Sequence, residues 1–306
     1  MHANDLFAQM TDQLVADIEA GAGTWRMPWN ALADAGTPTS VDGRPYRGMN
    51  AVWLAMAAAA HGWPAGVWAT YRGWQRHGAQ VRRGEKATQV VLWKPTTPRD
   101  SDTPPDDDEQ AGQRRRLLAR AYSVFAAAQV DGADQVVARR AERLAERDTP
   151  ERIAAADAYF ATVGATVVHG GNQAFYRPAT DTIHVPHLAQ FDHAAHHAGT
   201  LAHEHVHWTG HPDRLDRDLT GRFGSDSYAA EELVAELGAA MWCAQMGLSA
   251  VTRADHAAYL AGWLRVLRAD ARALVTVASR AQAAVDHLNT RAGHATAGEA
   301  DQEVAA

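Results

Sequence analysis

Five consecutive residues, His203-Glu204-His205-Val206-His207, restrict the fold of this chain more than any other feature. In an α-helix, positions i and i+4 share a face about 6 Å apart, so His203 and His207 can grip one metal ion. Glu204, beside the first histidine, can reach a water on that metal and act as general base. Thr200 and Leu201 open the segment, and Gly210 followed by Pro212 closes it, which frames a helix. With 16 histidines in 306 residues, composition alone yields roughly 0.03 such matches. Nine of those histidines lie between His184 and His211, which raises the local rate of accidents.

A catalytic zinc needs a third protein ligand and one open position. Some 25 residues on, Glu231-Glu232-Leu233-Val234-Ala235-Glu236 places Glu232 and Glu236 on one helical face, with Glu231 rotated by about 100°. This is the gluzincin pattern: Glu232 as metal ligand and Glu236, one turn on, accepting from a ligand histidine. Leu233, Val234, Leu237, Ala239 and Ala240 imply a buried helix, where carboxylates facing no cation are costly. Asp213 is the rival third ligand, at a metzincin-like spacing from His207. Tyr228, just ahead of the acidic run, is a candidate phenol donor to an oxyanion. His205 should point away from the ligand face, and His193, His196 and His197 read as exposed. Zinc is the expected ion, with manganese or cobalt as alternatives.

The rest of the chain bounds the setting. Cys243 is the only cysteine, set in the apolar run from Ala239 to Ala244, so it reads as a small buried hydrophobe and disulfides are excluded. The start, Met1-His2-Ala3-Asn4-Asp5, has no basic or apolar leader, and Ala51–Ala60 is too short to span a membrane; a cytoplasmic setting without membrane association is expected. The net charge of -7 hides a strong asymmetry. From Arg44 to Lys94 there are eight basic residues and one acid, Glu85, and seven of the ten tryptophans lie before residue 94. A cationic groove with interleaved aromatics is what single-stranded nucleic acid requires. Trp53, Trp68 and Trp93 are expected in the core. The candidate binding residues are Trp25, Trp29, Tyr46, Arg47, Arg72, Trp74, Arg76, Arg82, Arg83 and Lys86.

Periodicity supplies the elements. Leu6, Phe7, Met10, Leu14 and Ile18 share a helical face stopped by Gly21, and Thr70 can cap a short helix ending at Gly78. Alternation from Gln80, the turn Arg83-Gly84 and Thr88–Trp93 suggest a β-hairpin. Residues 95 to 113 are Pro, Asp, Thr and Gly with little to bury, and read as a mobile acidic loop. Strands are expected at Thr166–His169, Ala174–Tyr176 and Thr182–Val185, then helices ending near Gly210, over Tyr228–Met246, Ala254–Arg268 and Asp270–Leu288.

The order of these motifs resembles the ArdC-type antirestriction proteins of plasmids and related mobile elements. The resemblance rests on Trp25–Trp29, the run from Gly43 to Asn50, Gly78–Lys86, Tyr122–Gln129, Asp181–Pro186, His203–Pro212 and Tyr228–Glu236. It spans about Leu6 to Leu288, and departs in the acidic loop after Lys94 and in Phe125-Ala126-Ala127. It implies an α+β fold of two domains: an N-terminal single-stranded-DNA-binding domain, and a C-terminal zincin-like metallopeptidase domain with a small sheet and the HExxH helix. The expected boundaries are 1–130 for the first, 131–150 for a linker helix, 151–290 for the second and 291–306 for a flexible tail. The function implied is protection of incoming DNA from restriction, with a protein substrate such as a restriction component. Two other readings stand beside it: a DNA shield whose metal is purely structural, and a peptidase effector that does not bind DNA.

Overall fold

The computed structural model describes residues 3–20, 32, 36–63, 66–95, 117–221, 224–249 and 256–294. The acidic loop, Trp25, Trp29 and most of the expected tail lie outside them.

The first helix, α1 (Ala3–Ala20), forms where its apolar spacing says it should, and Leu6, Phe7, Met10, Leu14 and Ile18 are each at most 2% exposed. Their partners come from the far end of the chain. Thr11 donates to the carbonyl of Ala271 at 2.9 Å, and the largest core runs from Leu6 to Leu288 without a break at residue 130. The first and last quarters of the sequence are therefore packed as one hydrophobic unit.

The N-terminal half otherwise centres on a four-stranded sheet. β1 (Thr39–Ser40) lies parallel to β2 (Val67–Ala69), which is followed across the sheet by two antiparallel strands, Leu117–Ala126 and Thr88–Pro95. Helix α2 (Gly48–Ala60) covers one face through Leu54 and Ala58 against Trp68, Val90 and Val124. Thr70 caps the short helix α3 (Tyr71–Arg76) by accepting from the Gly73 amide, and Gly78 at φ 74° ends it.

The expected hairpin is not formed. Gln80–Val81 (β3) pairs instead with Val130–Asp131, and Thr88–Pro95 (β4) pairs in full register with Leu117–Ala126 (β5), from Thr88 opposite Val124 to Pro95 opposite Leu117. Gly84 does turn the chain, at φ 90°. Yet two residues on one arm cannot compete with a ladder as long as strand β4 itself.

After β6 (Val130–Asp131) comes α4 (Asp134–Ala145), in the expected linker. Thr149 then caps α5 (Pro150–Val163), with Pro150 at its first position. A three-stranded sheet follows: β7 (Thr166–His169), β8 (Phe175–Arg177) and β9 (Thr182–Val185), with β9 central and β8 at the edge. Four helices follow among the described residues: α6 (Ala194–Thr209), α7 (Asp226–Met246), α8 (His256–Ala269) and α9 (Ala273–Arg291). No described helix is long and apolar enough to cross a membrane.

Candidate metal centre

Helix α6 carries His203-Glu204-His205-Val206-His207 in its last two turns, and α7 crosses it along the acidic face. The crossing is close because Gly238 of α7 lies against Val206. A Cβ there would stand 2.8 Å from one Val206 methyl and 3.1 Å from the other. Valine in a helix has almost one allowed rotamer and cannot turn aside. Gly238→Ala should therefore lose stability: overpacking costs up to about 3 kcal/mol, against a helix-propensity gain of at most about 1 kcal/mol. Thermal unfolding checks this, and adding Val206→Ala should restore most of the loss.

At the crossing, nitrogens and carboxylates converge. His203 Nε2 and His207 Nε2 are 3.0 Å apart, and the Glu232 carboxylate lies 3.7 Å from the first and 3.4 Å from the second. Tetrahedral zinc with ligands near 2.1 Å would separate its donors by about 3.4 Å, so the three spacings fit one ion. Among the described residues this is the group whose ligand atoms all lie within 4.8 Å of one another. Asp213, the rival, has a side chain 87% exposed that faces His211.

The surroundings demand positive charge. Glu204, Glu231, Glu232 and Glu236 are all buried, at 2%, 9%, 7% and 7% exposure. His207 Nδ1 lies 3.2 Å from Glu231, so as N–H it donates to that carboxylate and leaves the Nε2 lone pair turned inward. Nδ1 of His203 lies 3.6 Å from Glu236. Two imidazole lone pairs aimed at each other beside a carboxylate repel unless a cation or proton lies between them. The carboxylates also govern the titration of His207: burial opposes its charge, yet Glu231 and Glu232 outweigh burial and lift its pKa to about 10. Burial by itself would raise Glu231, but hydrogen bonds from His207 and Arg217 reverse the effect and hold it below the usual carboxylate range.

Glu231 and Arg217 are the residues that sequence reading missed. Glu231, off the Glu232 face by its helical phase, turns to the flank of α6 and meets His207 from behind. Arg217 donates to both Glu231 oxygens at 2.8 and 2.9 Å, to Thr209 Oγ1 at 2.9 Å and to the Val206 carbonyl at 2.6 Å. It thus caps the end of α6 and ties down the loop after it. Nothing local marks this arginine, because its partners are set by the helix crossing. Arg214 works similarly one turn earlier. Its guanidinium lies 3.8 Å over the Trp208 ring and bonds Asp181 and the Tyr176 hydroxyl, holding edge strand β8 to the end of α6.

A cavity of about 300 Å³ opens onto the cluster, walled by Phe175 and Tyr176 of β8, by Leu219 and Gly221, and by Tyr228, with Glu204 on its floor beside the histidines. His205 turns away: it is fully buried, bonds the Leu201 carbonyl at 2.7 Å and packs on Phe160, and burial pushes its pKa down to about 4. His197, expected at the surface, is 6% exposed and packed edge-on against Phe191, since the start of α6 sits on the sheet. Cys243 is buried, and its thiol is pushed up to about 12, so it is no nucleophile.

Comparison with known proteins places this arrangement. Residues 154–280 match the zincin-like metallopeptidase family, and residues 4–125 match the N-terminal domain of the anti-restriction factor ArdC. The crystal structure of the antirestriction protein ArdC from plasmid R388, bound to Mn(II), superposes with a TM-score of 0.76 at 35% identity, covering 95% of this chain and 99% of that one. The chain belongs to the ArdC family. The metal-free R388 structure agrees, with a TM-score of 0.75 at 38% identity over 94% of this chain. The uncharacterized protein y4eC of Sinorhizobium fredii is 44% identical over 290 residues, 94% of this chain and 92% of that one. DNA primase TraC of Escherichia coli is 35% identical over 297 residues, but the chain spans only 26% of that protein's length.

In the half that matches the ArdC N-terminal domain, the expected binding residues divide. Trp74 is not at the surface: it is fully buried, with its indole N–H donating to the Phe125 carbonyl at 2.9 Å, because α3 folds it under the sheet. Arg82 is tied to Glu85 at 3.0 Å and to the Ala128 carbonyl. Arg47 pairs with Asp286 of α9 at 2.5 Å. Tyr46 is half-buried against α2. Arg72, Arg76, Arg83 and Lys86 are exposed. Trp68 is in the core as expected, Trp53 is only partly buried, against the larger core, and the Trp93 side chain lies outside the described residues.

Proposed function

We propose that this chain protects incoming mobile-element DNA from restriction in the cytoplasm, binding single-stranded DNA through its N-terminal half and carrying a divalent-metal-dependent, peptidase-type hydrolytic site in its C-terminal half. The observation that carries the second part is the convergence of His203 Nε2, His207 Nε2 and Glu232 at spacings of 3.0 to 3.7 Å. That the R388 relative was crystallised with Mn(II) supports a divalent ion here, with zinc as the ion the donor set suits best.

His203, His207 and Glu232 would hold the ion; Glu231 accepts from His207 Nδ1 and so orients that ring, while the Glu236 carboxylate stands 3.6 Å from His203 Nδ1. A bound divalent cation supplies Lewis acidity to a carbonyl and lowers the pKa of a water beside it. Glu204 takes the proton from that water as it attacks a peptide carbonyl, and returns it to the leaving amine. Tyr228, which lines the same cavity, donates its phenol hydrogen to the oxyanion. The cavity beside the cluster favours this over a purely structural metal, whose site would be closed.

Two measurements on the purified protein test the reading together. Metal analysis should find one divalent ion per chain. A single-strand titration should show log affinity falling linearly with log salt, and Arg83→Ala with Lys86→Ala should flatten that slope by about 0.7 for each phosphate no longer neutralised. A protein that takes up no divalent metal, or whose DNA affinity ignores salt, would remove the respective half of the proposal.

A further inference from the structure

We infer that His61 and Trp63, stacked on each other at the end of helix α2, form a platform for one unpaired base of a bound single strand, with Arg83 and Lys86 taking its neighbouring phosphates. This rests on the single-strand reading above and adds two residues to it, one of which makes no contribution of charge.

The platform follows from the way α2 ends. Gly62, at φ 65°, reverses the chain after Ala60, so that the Trp63 amide donates back to the Ala58 carbonyl at 2.9 Å and the Gly62 amide to Ala59 at 3.1 Å. The two rings that flank this glycine meet face to face, with centroids 4.3 Å apart and planes 19° from parallel. Trp63 is anchored from below, packed edge-on against the fully buried Trp68 at 5.7 Å. The imidazole is fixed at its edge, where Nδ1 as N–H donates to the Ala57 carbonyl at 2.8 Å. His61 is nevertheless exposed, and since one face of its ring lies on the indole, that exposure belongs to the side away from it. A flat, fixed ring face open to solvent is what base stacking needs.

The cations are built on the same part of the sheet. Trp68, which carries Trp63, pairs across the ladder with Ala126 at the end of β5. Gln129 accepts from the Ala126 amide at 2.9 Å, and its own amide donates to the Lys86 carbonyl at 2.8 Å and to Glu85 at 3.1 Å, which fixes the turn over residues 82–86 there. Glu85 is held below the usual carboxylate range by Gln129 first, then by Arg82 and, through space, by His61, so the ring stands near this turn. Its carboxylate is spent on Arg82 at 3.0 Å and on Gln129. Arg83 and Lys86 are exposed, and among the described residues neither is in an ion pair. A stacking face close to two uncancelled cations matches a single strand's alternation of base and phosphate. An acidic peptide would use the cations and leave the ring face bare.

The experiment is a fluorescence-anisotropy titration of the full chain at mildly alkaline pH across a salt series, with labelled oligo-dT and an abasic strand of the same number of phosphates. The parent should bind oligo-dT about tenfold or more tighter than the abasic strand. His61→Ala removes an exposed ring and should cost roughly tenfold on oligo-dT, while abasic binding and the salt slope stay at the parent values. His61→Phe keeps a ring and should remain within about threefold of the parent on oligo-dT. Arg83→Ala/Lys86→Ala should weaken both probes and flatten the slope by about 1.4, two phosphates at 0.7 each. Parent-like preference for oligo-dT in His61→Ala, equal losses in His61→Ala and His61→Phe, or equal affinity of the parent for both probes would overturn the platform and leave the single-strand reading standing. No binding of oligo-dT by the parent at low salt would remove that reading, and this inference with it.

Discussion

Glu204→Gln is expected to leave divalent-metal affinity within a few-fold of the parent while lowering peptide hydrolysis a hundredfold to ten-thousandfold, the usual worth of a positioned general base. The residue is 2% exposed, one position after His203 on α6, and forms the cavity floor with the three converging side chains. Glutamine preserves its volume and most of its hydrogen bonding but cannot take a proton. Calorimetric metal titration beside turnover of a fluorogenic peptide mixture separates the outcomes. If the variant cleaves at the parental rate, Glu204 is not the base. If metal binding is lost as well, its carboxylate holds the site together and does not act on water.

Arg217→Ala should be among the most destabilising single changes in the molecule, by about 3–5 kcal/mol, because it strands a buried carboxylate. The Arg217 and Glu231 side chains are only 6% and 10% exposed, and the pair makes two charge-assisted bonds. Solvent cannot take over those bonds, and the Val206 carbonyl and Thr209 hydroxyl lose their donor too. A second substitution sharpens the test. In Arg217→Met/Glu231→Met the unpaired charge is gone, so most of the lost stability should return, as when a buried pair is exchanged for apolar side chains of similar volume. His207 would then have no carboxylate at Nδ1, and metal affinity should stay about tenfold to a hundredfold low. Thermal unfolding without metal and titration with it read the two effects separately. Full recovery of both would show that Glu231 does nothing for His207.

These residues define what hydrophobic patterning could and could not reveal. The apolar stripe Leu6–Ile18 was readable as a helix, but not its docking on α8 and α9, which joins the two ends of the chain in one core. Tryptophans near basic residues suggested an exposed set. Trp74 lies among arginines in sequence, but α3 turns its ring inward, a choice made by the sheet beneath it. Thr88–Trp93 was readable as a strand but not with its partner, since the eventual ladder is formed with residues beyond the acidic loop.

What the sequence by itself determined is whatever depends on helical phase and composition. Two histidines four apart fall on one face of α6, and Glu232 and Glu236 fall on one face of α7; both follow from a repeat of about 3.6 residues. What only the tertiary structure decided is how those faces meet. The approach of Gly238 to Val206 sets the crossing, and the crossing brings Glu232 up to both rings, sends Glu231 behind His207 and gives Arg217 its seat. Phase is a local property of the backbone, whereas a crossing is settled by packing between residues far apart in the chain, which no window of sequence contains.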